Sequence, residues 1–199
     1  MEILSKMKEV IELEASSIKA LSEQIGPNYE TALHLVRNCK GKVIVTGVGK
    51  SGHIGKKIAA SLASTGTPAF FVHSAEGVHG DLGMIQKEDI VIMISNSGET
   101  AEVLNLLPSL AKIGAKKIAI TSNANSTLAQ SCDTALTYHY ETEADHLGLA
   151  PTTSATITLV IGDALAIGLS VLKKFEKEDF YLYHPGGSLG QQLSEKIRK

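Results

Sequence analysis

"KVIVTGVGKSG", residues 42–52, decides the fold class. A short β-branched run ends at Gly47, a glycine-rich loop follows, and a helix-like segment begins at about Ile54. A continuous apolar run this short, bounded by glycine, reads as a strand buried on both faces. The same texture recurs in "PAFFVH" (68–73), "DIVIMIS" (89–95), "KIAIT" (117–121) and "TALTY" (134–138). Helix-like segments at 54–64, 101–113 and 126–131 lie between these runs. Strands alternating with helices predict an α/β fold, a parallel sheet with helices on both faces. Right-handed crossovers then bring every strand's carboxyl end to one rim, where ligands bind in open α/β sheets.

Upstream, residues 3–25 read as one helix whose Leu4, Met7, Ile11, Ile18, Leu21 and Ile25 recur on a seven-residue period, interrupted by Glu14. Such a stripe must pack on its own sheet or on a partner chain. Gly26-Pro27 ends it, and a second helix is expected at about 28–39. Downstream, a long helix is expected at 153–172, with small and apolar residues nearly all round, buried on more than one side. Asp163 and two glycines within it favour a core helix over a membrane span. The segment 184–193 is expected to turn into a short helix. With no linker or internal repeat, residues 1–199 read as a single domain with an N-terminal helical segment at 1–40.

Composition narrows the partners. The 199 residues carry a formal net charge of -2, with no basic tract of the kind nucleic acid requires. Residues 1–14 alternate charge with apolar positions, unlike a signal peptide. Cys39 and Cys132 match no metal knuckle or redox pair and are expected to be buried thiols. These features fit a cytoplasmic protein that takes a small molecule and needs no cofactor.

The rim loops supply the site. "GVGKSG" (47–52) lets the backbone turn closely beside an anion, yet it matches neither nucleotide fingerprint. "SNSGET" (95–100) is sharper. Ser95, Ser97 and Thr100 offer three hydroxyls between a strand and a helix, where a cap alone needs one. Together they predict a phosphate site. The side chains that could carry a proton in such a site are Lys50, His79, Glu99, Glu102, Glu143, His146 and His184. Glu99 and Glu102 are explained equally by a helix start. Glu143 lies in an irregular charged stretch. His184 precedes Pro185 and the glycines 186, 187 and 190, a poor place for core filler. His73, His79 and Asp81 form a rival metal set, but their spacing matches no zinc signature, so no metal is expected.

Seven strings in order resemble the sugar isomerase domain family, and within it the arabinose-5-phosphate isomerases. They are "GVGKSGHIGKKIAASLASTGTPAFFVH", "EGVHGDLGMI", "ISNSGET", "SNANSTLA", "EADHLGLAPTTSAT", "GDALA" and "DFYLYHPGGSLG". The resemblance implies a three-layer sandwich with a five-stranded parallel sheet flanked by helices. It also implies isomerisation of a sugar phosphate, most simply D-arabinose 5-phosphate to D-ribulose 5-phosphate, in a homo-oligomer, expected to be a tetramer with sites at subunit boundaries.

By that resemblance, phosphate-binding residues fall on Ser51, Ser95, Ser97 and Thr100, and an active-site histidine falls on His79. Catalytic residues fall on Lys50, Glu102, Glu143 and His184. Three departures stand out. Asp145-His146 replaces a usual Cys-Pro, and His73-Ser74 replaces a usual His-Pro. The chain as read ends at Lys199, where many relatives continue into nucleotide-sensing modules. Two alternatives remain open: a non-catalytic phosphosugar sensor, and an isomerase of a hexose phosphate such as 6-phospho-3-hexulose.

Overall fold

The computed structural model describes residues 2–186. Five strands, β1 (Val43–Gly47), β2 (Ala69–His73), β3 (Ile90–Ile94), β4 (Lys116–Thr121) and β5 (Thr134–Thr137), form one sheet in the order β2-β1-β3-β4-β5. All four pairings are parallel. The helices are α1 (Glu2–Ser22), α2 (Pro27–Arg37), α3 (Gly49–Ser64), α4 (Ser74–Gly77), α5 (Ala101–Leu104), α6 (Leu107–Ile113), α7 (Thr127–Gln130), α8 (Thr153–Leu172) and α9 (Lys177–Tyr183). This is the expected α/β three-layer sandwich. Its strand order reverses between β1 and β3, so the loops after those two strands flank the crevice where such sheets bind ligands.

Strand periodicity sorts the core into two layers. Val43, Val45, Ile92, Ile94, Ile118 and Ile120 face one side, with Ile58 and Leu62 of α3 and Ile157, Ile161, Leu165 and Leu169 of α8. Ile44, Val91, Met93 and Ala119 face the other, with Val103, Leu106, Leu110 and Leu128. Alternate side chains leave a pleated strand on opposite faces, so strands covered on both sides must be apolar throughout. Each such aliphatic side chain contributes roughly 1.5–3 kcal/mol on full burial.

Several boundaries differ from expectation for visible reasons. The helix expected over 101–113 is broken into α5 and α6, because Pro108 occupies the first turn of α6 and has no amide to continue α5. α1 stops at Ser22, before Ile25. α3 starts inside the glycine loop, at Gly49, with the Gly52 amide already bonded to the Val48 carbonyl at 3.0 Å. The buried side of α8 is a single stripe; Ile167 and Val171 are 58% and 72% exposed. The cysteines are half-buried, with burial pushing the Cys132 thiol up to about 12. Of the turn and helix expected at 184–193, residues 187–193 lie outside the described residues.

Candidate active site

The loop after β3 is braced from within. Ser95 is buried, and its hydroxyl accepts from the Gly98 amide at 3.0 Å and pairs with Thr100 Oγ1 at 2.7 Å. Two paired hydroxyls share one hydrogen and leave the other to donate outward. Ser97 is exposed; its Oγ accepts from the Glu99 amide at 3.1 Å, so its hydrogen also remains to donate. Gly98 takes φ +72, and a side chain there would run into Ser126. Left-handed backbone without a side chain is what lets this loop fold against the start of α7. Glu99 turns away from the crevice, accepting the Thr127 amide at 2.7 Å.

Across the strand reversal, the first turn of α3, directly after β1, carries Lys50 and Ser51. They line a small cavity of about 30 Å³ with Ile54, Asn96, Tyr138 and Ser154. Lys50 is exposed and Ser51 half-buried. His79 follows β2 on the same rim, exposed, with its amide on the Glu76 carbonyl. Glu102 sits exposed in the first turn of α5.

Glu143 differs from these. It is 8% exposed, and its Oε2 accepts from the Thr152 amide at 2.8 Å, the Thr152 hydroxyl at 3.2 Å and the Ser154 amide at 3.1 Å. It therefore caps α8 from outside the helix, where unpaired amides favour a negative charge. Its Oε1 accepts from the Tyr140 phenol at 3.1 Å. Burial opposes the charge, but the Ser154 side chain, the Thr152 and Ser154 amides and Tyr140 outweigh it and hold the carboxyl below the ordinary glutamate range. At neutral pH Glu143 is a carboxylate able to accept a proton. It borders a polar cleft of about 360 Å³ with Ser122, His139, Tyr140, Glu141 and Thr142.

His184 stands elsewhere. Lys173, just past α8, donates to the Gly66 carbonyl at 3.2 Å and to Thr67 Oγ1 at 2.9 Å, beside the start of β2. Phe175 packs over Gly66, Tyr183 stacks on Phe175 with ring centroids 6.0 Å apart, and His184 follows directly. The imidazole stacks on Phe180 at 4.0 Å, with Nδ1 2.9 Å from the Phe180 carbonyl. His184 thus lies at the amino end of the sheet, while α8, about 30 Å long at 1.5 Å per residue, begins at the rim. Lys50, Ser51, His79, Ser95, Ser97, Thr100, Glu102 and Glu143 all follow the carboxyl ends of strands on this rim; His184 of the same protomer is not among them.

Asn96, Tyr138 and Tyr140 bond to one another and, through Tyr140, to Glu143, and were not singled out from the sequence. Their signal was modest: an amide inside the hydroxyl loop, and two tyrosines at i and i+2 just past a strand. Among the described residues, no group of three or more histidine, cysteine, aspartate or glutamate side chains is gathered to hold a metal ion.

Residues 35–168 match the SIS domain model. The chain belongs to the SIS domain family. It is 50% identical over 196 residues to the arabinose 5-phosphate isomerase KpsF of Escherichia coli strain CFT073, covering 98% of this chain and 60% of the relative. It is 48% identical to the arabinose 5-phosphate isomerase KdsD of Pseudomonas aeruginosa, covering 99% of this chain and 60% of the relative. This SIS chain therefore spans about 60% of the length of the curated relatives it matches. Among solved SIS-fold structures, an E. coli CFT073 protein in complex with arabinose 5-phosphate aligns with a TM-score of 0.87 at 50% identity, covering 92% of this chain and 98% of that one.

Proposed function

We propose that this SIS domain is an aldose–ketose isomerase that interconverts D-arabinose 5-phosphate and D-ribulose 5-phosphate through an enediolate. One observation carries the reading: a loop of paired hydroxyls and amides, suited to a phosphate, shares a rim with a buried carboxylate that borders a polar cleft. The names of relatives at 48–50% identity supply the pentose phosphate. Ser51, Ser95, Ser97 and Thr100 grip the phosphate, with His79 on the sugar. Glu143 takes the proton from C2 of the open-chain aldose as electrons pass to the carbonyl oxygen at C1; the O2 hydroxyl proton passes to O1, and the same carboxyl returns its proton to C1 as the ketone forms at C2. One group serving as base and then acid needs no other proton carrier on that face. Lys50 steadies charge on the enediolate oxygens, and Glu102 orients a sugar hydroxyl.

His184, which helps open the furanose ring, comes from a neighbouring copy. Its own protomer holds it at the far end of the sheet, and exposed apolar residues on α1 and α8 give copies a surface to meet on. The working unit is a homo-oligomer, a tetramer by likeness to the family, in the cytoplasm.

The test is a panel of pentose and hexose phosphates, followed by solvent exchange at C2 of arabinose 5-phosphate. Turnover of the pentose pair, with exchange abolished in Glu143→Gln but sugar-phosphate binding kept, supports the assignment. Exchange kept in Glu143→Gln and lost in Glu102→Gln reverses the two roles. Binding without turnover of any sugar makes the domain a sensor.

A further inference from the structure

Behind the cleft runs a chain of hydrogen bonds that joins the phosphate loop to the carboxylate. The Tyr138 phenol donates to Asn96 Oδ1 at 2.9 Å. Asn96 Nδ2 donates to the Tyr140 phenol oxygen at 3.0 Å. Tyr140, with its acceptor site filled, gives its single hydrogen to Glu143 Oε1 at 3.1 Å. All three bonds point the same way, toward the negative end, so each polarises the next. Asn96 is itself fixed. Its backbone carbonyl accepts from Thr121 Oγ1 at 3.0 Å, the Ser122 amide at 2.9 Å and Ser122 Oγ at 2.8 Å. Asn96 also sits between Ser95 and Ser97, so the residue that aims Tyr140 is part of the loop that meets the phosphate.

The two carboxylate oxygens are treated differently. Oε2 is held by three donors of the α8 start. Tyr140 donates to Oε1 at 3.1 Å, with the Ser154 side chain also beside the carboxylate, and Oε1 keeps acceptor capacity for a substrate proton. Burial raises the Tyr140 pKa, and the nearby Glu143 charge adds to it while Asn96 opposes it. The phenol therefore stays a donor through the neutral range.

We infer that Tyr140 is a positioning residue for Glu143, aimed by Asn96, so that the loop holding the phosphate also sets the direction in which Oε1 meets the sugar. The inference rests on Glu143 as the proton carrier. Tyr140 does not touch the reacting carbons. It stops the Glu143 carboxylate from rotating about its capped Oε2, and it does so from the phosphate side of the crevice.

The experiment compares full-length wild type, Tyr140→Phe, Asn96→Ala and the double variant in steady-state isomerisation of arabinose 5-phosphate, with folding checked by circular dichroism and thermal melting. Tyr140→Phe should lower kcat about 10- to 100-fold, the range set by one hydrogen bond to a charged group, with KM within about twofold. Adding Asn96→Ala to Tyr140→Phe should lower kcat by less than Asn96→Ala does in the wild type, because both act through one bond. An unchanged kcat in Tyr140→Phe, or a loss seen in KM alone, overturns the inference while leaving the isomerase reading intact. Fully additive kcat losses overturn the part given to Asn96. A wild type that turns over no pentose phosphate removes the isomerase reading and this inference with it.

Discussion

The Lys42 ammonium lies 2.8 Å from Asp89 Oδ2, and Asp89 is 1% exposed. The same carboxylate accepts from the Lys42 and Gln86 amides, at 2.9 and 2.8 Å, so it ties the turn before β3 to the chain entering β1 at the sheet's amino end. Burial opposes its charge, but these donors outweigh burial and hold the carboxyl below the ordinary aspartate range. Because the folded pKa is depressed, the stabilisation is complete above the unfolded value of ~3.9 and is lost as pH falls through the folded value. Asp89→Ala should cost about 3–5 kcal/mol by leaving buried donors unpaired. Denaturant titrations from pH 7 to 3 should show the wild type converging on Asp89→Asn as acid is added. Parallel curves would mean that Asp89 is not the acid-sensitive group.

Gly162 of α8 faces Ile58 of α3 with no room for a side chain between them; a Cβ would overlap the isoleucine. Gly162→Ala gains helix propensity of about 1 kcal/mol and loses more to overpacking, for a net destabilisation of about 1–2 kcal/mol. Gly162→Val should cost more. Thermal melting checks the order; an alanine variant as stable as the wild type would mean that the two helices separate freely.

Ser97→Ala and Thr100→Ala should each weaken sugar-phosphate binding about 10- to 100-fold, one hydrogen bond to a charged ligand apiece. Ser95→Ala should also cost stability, since Ser95 Oγ serves the buried Gly98 amide. Calorimetric titration separates the three. Unchanged binding in both Ser97→Ala and Thr100→Ala would empty the cradle of its role.

Ile3, Leu4, Met7 and Ile11 are 58–71% exposed on one side of α1, and Leu147, which lines the same groove as Ile3 and Met7, is 65% exposed. A groove of about 920 Å³ runs between this helix and the 142–148 loop. Met7→Glu with Ile11→Glu should shift light scattering at micromolar concentration to a smaller particle and lower specific activity. A wild type that is monomeric under the same conditions would refute the assembly.

Much of this architecture could be read in advance because burial imposes a simple pattern. β1 and β3 are covered on both faces and spell near-continuous β-branched runs, and α8 occupies residues 153–172 as its composition implied. Pro108 was visible in the sequence, yet the continuing apolar period hid the break it makes. The loop proposed to hold phosphate stood out because its hydroxyls crowd into six residues. The partners of Glu143 were not: Tyr140, Thr152 and Ser154 meet it only once the loop after β5 folds back onto the start of α8. A carboxylate that caps a helix from nine residues upstream leaves no local spacing to find.

The length of α8 has a genetic consequence. It holds His184 at one end of the protomer and Glu143 at the other, so under the proposed chemistry each active site draws on two polypeptides. Two alleles, one encoding Glu143→Gln and the other His184→Ala, are then each inactive alone, yet co-expressed they build mixed assemblies in which some sites receive an intact residue from both parents. Recessive lesions at the two ends of one helix would complement each other, while two different lesions at the same end would not.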